Sequence, residues 1–310
     1  MLARLFLASH LAELASYAAL GAWLAIRHDW SAGSIAALVA ILAFGVRLAI
    51  VCTSMAISCW HRSPREPAQQ LGLAATAAMV LREWRALVLL NLVGLPWEAR
   101  VMRADPEPMP LTHPAVILVH GYFVNRGTFR GLLARLEAAG IDPIFTPNLR
   151  SWFAPIERIE EGIATEVDRV AHATGRKVVI VAHSMGGLAT RLMLANRGCA
   201  DVERVITIAS PHHGTALARL GLGENASQMC RGSAFLTALA GREGTAGPGI
   251  AVTSIYSVHD NLVAPQDTSR LPWAKNIALA GHGHISILAS DKLFETLLAE
   301  LREAGAPPAR

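Results

Sequence analysis

The first sixty residues carry only five charges: Arg4, Glu13, Arg27, Asp29 and Arg47. A run so poor in charge must hide its apolar side chains, either in protein or in lipid. Residues 5–26 and 30–60 account for it, and each exceeds the roughly 20 helical residues that cross about 30 Å of hydrocarbon. The expectation is two transmembrane helices, at about 5–26 and 33–57. Glu13 and Arg47 interrupt them, and a charge at the centre of a span costs about 3 kcal/mol on insertion scales. An ion pair between Glu13 and Arg47 across two antiparallel helices would offset part of that cost. Two other readings fit the same composition. One is a buried helical hairpin of a soluble protein. The other is a signal peptide, with Arg4 before the apolar run and Ala19-Leu20-Gly21 as a passable cleavage site, although Glu13 inside the run argues against it.

A break follows at His61-Arg62-Ser63-Pro64-Arg65-Glu66-Pro67, then a third apolar stretch, residues 71–95. Arg82, Glu83 and Arg85 interrupt that stretch at its centre. It therefore reads as a helix at about 69–95 lying in the membrane interface, or docked on the following domain, rather than as a span. Pro106, Pro108, Pro110 and Pro114 then fall within nine residues, the signature of a linker. The expected organisation is a hydrophobic helical region at 1–104, a Pro-rich linker at 105–114 and a second domain at 115–310.

Composition narrows the function classes. Apolar residues make up 52% and charged residues 17% of the 310, which excludes disorder and fits membrane association. The net charge is only +4, and the 25 arginines are scattered with no basic run between aromatics. No nucleic-acid partner is expected. The four cysteines, Cys52, Cys59, Cys199 and Cys230, make no metal or redox spacing.

Beyond the linker the period changes. Short β-branched runs at 115–119, 143–145, 178–181, 205–208, 252–256 and 276–280 are interspersed with helical stretches at 128–139, 187–195 and 291–303. Such alternation predicts an α/β domain, a mostly parallel sheet covered by helices on both faces.

Four of these strands end in chemistry. Residues 178–181 run into Ala182-His183-Ser184-Met185-Gly186, after which a helical pattern begins at once. A strand turning sharply into a helix around a serine needs small residues two before and two after it. The helix N-terminus also supplies N–H groups and partial positive charge for an oxyanion. Residues 116–119 end in His120-Gly121-Tyr122, and residues 252–256 are followed by Asp260, with Asp267 as a fallback acid. Residues 277–280 are followed by Gly281-His282-Gly283-His284. The His212/His213 and His282/His284 pairs lack the third ligand that a zinc site wants, so no metal is expected. No phosphate-cradling loop is present, and no cofactor is expected.

In these motifs the chain resembles the α/β-hydrolase fold, and within it the bacterial lipase and esterase group that joins a His-Gly-x loop to Ala-x-Ser-x-Gly. The segment Ser210-Pro211-His212-His213-Gly214-Thr215 also looks like that group's Pro-His-x-Gly-Thr. The resemblance covers residues 115–300. It implies a serine carboxylic-ester hydrolase with Ser184 as nucleophile, Asp260 as acid and His284 as general base, His282 being the less favoured register. It implies oxyanion-hole N–H groups at Tyr122 and Met185; His120 itself is read as a structural histidine holding the loop rather than as a catalytic one. Residues 216–249 form a long insertion, which in such enzymes commonly caps the pocket; an ordinary surface excursion is the equal alternative. Together with the apolar N-terminus, the expected partners are a membrane and a hydrophobic ester or lipid. An acyltransferase, thioesterase or peptidase would use the same residues, and an inactive membrane-anchored scaffold is the non-enzymatic reading. Arg4, Arg62 and Arg65 against Arg27 place both ends of the two-helix segment in the cytoplasm by the positive-inside bias. The hydrolase domain is then expected on the cytoplasmic face of an inner or plasma membrane.

Overall fold

A computed structural model describes residues 2–149 and 152–306; the last four residues of the expected 115–310 domain lie outside them. The chain opens with two long helices, α1 (Leu2–His28) and α2 (Ala32–Trp60), both apolar and long enough to cross a membrane. Ser31 caps α2 by accepting from the Ser34 N–H at 3.1 Å, so three residues suffice to reverse the chain. Residue 13 meets residue 47, and a Cβ at Gly21 would approach Ile35 to 2.8 Å; the helices are an antiparallel hairpin. Arg47 binds Glu13 through two hydrogen bonds of 2.9 Å each. A guanidinium matched to a carboxylate in this forked way is what makes both charges tolerable among apolar side chains.

The third apolar stretch forms α3 (Leu73–Leu89), which runs into a π turn at Leu90–Gly94. That turn carries Asn91 to the hairpin, where its side-chain oxygen accepts from Arg47 Nε at 2.9 Å. Of the two sequence readings for this stretch, contact with the following domain is the one observed: Arg82 donates to the Gly281 carbonyl at 2.9 Å, and Glu83 is buried. A one-turn helix, α4 (Glu98–Val101), precedes the Pro-rich segment.

A six-stranded sheet follows. Its strands are β1 (Ala115–Val119), β2 (Ile144–Phe145), β3 (Val178–His183), β4 (Val202–Ile208), β5 (Ala251–Ser257) and β6 (Lys275–Leu279). Every neighbouring pair is parallel, in the order β2-β1-β3-β4-β5-β6. Alternation along the strands sorts the core into two layers. Ala115, Ile117, Val178 and Ile180 meet α6 (Ile156–Thr174) and α7 (Met185–Arg197) on one face. Val116, Leu118, Val179 and Val181 meet α5 (Arg130–Ala138) and α10 (Asp291–Glu303) on the other. With both faces covered, the strands read as continuous apolar runs rather than as alternating ones.

Helix α6 has no counterpart in the alternation read from the sequence. Its seven charged residues hide a regular stripe, Ile156, Ile159, Ile163, Val167 and Val170, which is buried against the sheet. Residues 216–249 hold two further short helices, α8 (Glu224–Gln228) and α9 (Ala234–Glu243).

Candidate active site

The site lies at the C-terminal ends of the central strands. Strand β3 ends at His183 and α7 starts at Met185, leaving Ser184 alone at the turn with φ 57° and ψ −129°. A residue with a Cβ holds such a conformation only where the surroundings impose it, at a cost of about 1–3 kcal/mol. Here the Ser184 N–H is tied to the Ile208 carbonyl at 2.9 Å, and the Ser184 carbonyl accepts from Gly187 N at 3.0 Å. A Cβ at Gly186 would lie 2.8 Å from the His120 and Val119 carbonyl oxygens, so only glycine lets α7 start this close to β1. On the other side Gly121 backs onto the serine: a Cβ there would stand 2.7 Å from Ser184 Cβ.

The loop after β5 and the loop after β6 converge on that serine. His284 Nε2 lies 2.9 Å from Ser184 Oγ, and His284 Nδ1 lies 2.9 and 3.1 Å from the two Asp260 carboxylate oxygens. A carboxylate only accepts, so the imidazole proton sits on Nδ1 and Nε2 accepts from the serine hydroxyl. Asp260 is 2% exposed, and one of its oxygens also accepts from the Leu262 and Val263 N–H groups at 2.7 and 2.8 Å. Burial pushes the His284 pKa down, but the charge and hydrogen bond of Asp260, with Glu83 behind them, outweigh it, and the net shift is upward.

The alternatives fall elsewhere. His282 Nε2 faces Ser290 Oγ at 3.0 Å, and the Asp267 N–H donates to Ser63 Oγ at 3.0 Å; neither side chain reaches Ser184. His120 accepts the Leu149 N–H at 3.1 Å, and burial takes its pKa to about 4, a neutral ring holding the loop. Met185 follows the serine directly and Tyr122 follows Gly121, and the Tyr122 hydroxyl both donates to the Leu222 carbonyl and accepts from the Leu222 N–H, at 2.8 and 2.9 Å. That double contact ties the loop after β1 to the insertion. His212 is buried, with Nε2 2.9 Å from Thr207 Oγ1 and its carbonyl accepting from Arg191 Nη1 at 2.9 Å.

Three residues around His284 were not singled out by sequence reasoning. His183 Nε2 donates to the His284 carbonyl at 3.1 Å, and burial drives its pKa to about 3, so it is neutral. Asn261 accepts the His284 N–H at 2.8 Å, and Glu83 accepts from the next two N–H groups, of Ile285 and Ser286. Glu83 left a trace in the sequence as a charge at the centre of an apolar stretch, and His183 only as a member of the motif around Ser184.

Ser184 and His284 open into a cavity of about 620 Å3 whose walls are almost wholly apolar. Leu217, Leu220 and Met229 of the insertion form one side, and Ile50, Thr53 and Ile57 of α2 form another. The first part of the 216–249 insertion therefore lines the cavity. Its later part does not: Glu243, at the end of α9, is buried in an ion pair with Arg191 on α7.

A family model described as "Alpha/beta hydrolase family" matches residues 116–307. The chain belongs to the alpha/beta hydrolase family. Its structure is similar to that of Aspergillus fumigatus lipase B, with a TM-score of 0.58 at 15% identity over 85% of this chain and 86% of that one. It is also similar to Bacillus licheniformis lipase BlEst2 in its mature form, with a TM-score of 0.54 at 20% identity over 64% of this chain and 96% of that one. At these identities the likeness is one of fold.

Proposed function

We propose that this hydrolase is a membrane-associated serine carboxylic-ester hydrolase acting on lipid-like or hydrophobic esters. The observation that carries the reading is the unbroken chain from the Ser184 hydroxyl through His284 to Asp260, opening on an apolar cavity. Ser184 Oγ attacks the ester carbonyl while His284 Nε2 takes its proton, and Asp260 stabilises the imidazolium so formed. The carbonyl oxygen gains charge beside the start of α7, where in this scheme the Met185 and Tyr122 N–H groups receive it. His284 returns the proton to the leaving alcohol, and water then repeats the sequence in reverse to free the acid. Every proton moves among Ser184, His284 and the reacting groups, so the scheme uses no cofactor. The apolar walls favour an acyl chain over a polar acyl group. The α1–α2 hairpin would anchor residues 115–310 to the membrane, with the hydrolase unit in the cytoplasm.

Ser184→Ala is expected to abolish hydrolysis of p-nitrophenyl esters and labelling by a fluorophosphonate probe, with the thermal transition unchanged. Full labelling of that variant would remove Ser184 from the mechanism.

A further inference from the structure

Glu83 stands outside the hydrolase fold, on α3, and is 1% exposed, with no salt bridge to it among the described residues. Its two oxygens take different donors: Oε1 accepts the Ile285 N–H at 3.0 Å and Oε2 the Ser286 N–H at 2.8 Å. Those are the two peptide groups immediately after His284. The net shift of the Glu83 pKa is upward, because burial outweighs the opposing pull of the two N–H donors that suit the ionised form. One donor on each oxygen is the arrangement of a carboxylate, and a protonated oxygen would turn its own hydrogen toward an N–H.

The contact also accounts for a glycine. A Cβ on Gly283 would lie 2.4 Å from Glu83 Oε2 and 2.7 Å from Asn261 Oδ1, so the chain passes between the two side chains only because it has none there. Neighbouring residues brace the partner loop in the same manner. Ser58 on α2 donates to the Asp260 carbonyl at 2.6 Å, and Ser54 accepts from Asn261 Nδ2 at 2.8 Å. Arg82 and Arg65 bind the carbonyls of Gly281 and Val258. The segment before residue 104 thus holds both loops that meet at His284.

We propose that Glu83 is a positioning residue for His284: its carboxylate fixes the loop that presents the imidazole to Ser184 and places a second negative charge behind that ring. The assignment rests on the reading of His284 as general base. The charged and titratable groups facing His284 are Asp260 from the loop after β5, His183 from β3 and Glu83 from α3. His183 is neutral, so two carboxylates favour the protonated ring. The base works only when neutral. Activity must therefore fall as pH drops through a His284 pKa lying above the ordinary 6.5.

The test uses the full-length chain in detergent micelles, with p-nitrophenyl butyrate as a soluble ester. Glu83→Gln keeps the side chain's size but has one acceptor oxygen and no charge. It is expected to lower kcat about ten- to a hundredfold, the cost of a slightly misplaced group, with KM within threefold. The acid limb of its kcat/KM profile is expected at lower pH than in the wild type. A purely structural residue would scale the rates through the amount of folded enzyme and leave that limb in place. Wild-type kcat, or a lower kcat with an unmoved acid limb, overturns the assignment. If Glu83→Gln does not fold, Gly283→Ala displaces the same carboxylate from the loop side and must give the same two changes, and is judged by the same outcomes. A wild-type chain that neither hydrolyses the ester nor takes the fluorophosphonate overturns the hydrolase reading and this assignment with it. An active wild type beside an unaltered variant overturns the role of Glu83 alone.

Discussion

At the scale of single residues, the site depends on which histidine reaches the serine. Two lie two positions apart, His282 and His284, and the sequence separates them only by the register of a Gly-His motif. In the structure the loop turns between them. His284 points to Ser184 at 2.9 Å, while His282 turns to Ser290 and its carbonyl accepts from Ser257 Oγ at 2.6 Å. His284→Ala is expected to cost as much activity as Ser184→Ala, several orders of magnitude, because a nucleophile and its base fail as a unit. His282→Ala is expected to stay within about tenfold of the wild type, the loss of a loop-holding bond only. Steady-state rates of the two variants on one ester, corrected for folded fraction, decide it; the reverse order would move the base to His282.

Among the elements, α2 has two faces with different tasks. Ser54 and Ser58 bond to the acid loop, while Ile50, Thr53 and Ile57 line the cavity. The sequence marks α2 as apolar all round, which is why its second task is not legible there: a helix against lipid and a helix lining an acyl pocket need the same side chains. Thr53→Trp, which fills the cavity from that wall, is expected to lower kcat/KM for a p-nitrophenyl laurate ester about tenfold or more relative to the butyrate. One or two methylenes' worth of lost room has that effect in an apolar pocket. An unchanged laurate-to-butyrate ratio would mean that the acyl chain does not run along α2. Helix α6 shows the opposite case, since its stripe of five aliphatic residues is legible at helical spacing once its seven charges are set aside.

For the molecule as a whole, the hairpin and the hydrolase are joined by more than the chain between them. Phe6 of α1 packs on Phe123, just after the His120-Gly121-Tyr122 loop, with ring centres 5.4 Å apart. Ser54 and Ser58 reach the acid loop, and α3 reaches the base loop. Both ends of the hairpin therefore lie on the hydrolase side, which in the proposed orientation, drawn from the positive-inside bias of Arg4, Arg62 and Arg65, is the cytoplasm. A green fluorescent protein fused to the C-terminus is expected to be bright and an alkaline phosphatase at the same place inactive. The opposite pattern would put the hydrolase unit outside and reverse the proposed orientation.

What the sequence determined is what short stretches of chain fix by themselves. The parallel strands follow from β-branched runs, and the turn at Ser184 follows from small residues on either side of it. The order of serine, acid and histidine is likewise a matter of position along the chain. The Glu13–Arg47 pair was legible because two lone charges in apolar helices have few ways to be satisfied. Glu83 is the contrary case. Its charge was visible as an interruption of an apolar stretch, but its partners are peptide N–H groups two hundred residues later, and backbone donors look alike at every position of a sequence. The same holds for Ser54, Ser58 and Asn261, short polar side chains that acquire a partner only when α2 is laid across the acid loop. Side-chain type and spacing decide local conformation. Which backbone group a buried polar atom meets is decided only when the tertiary structure brings the two segments together and removes water as the alternative.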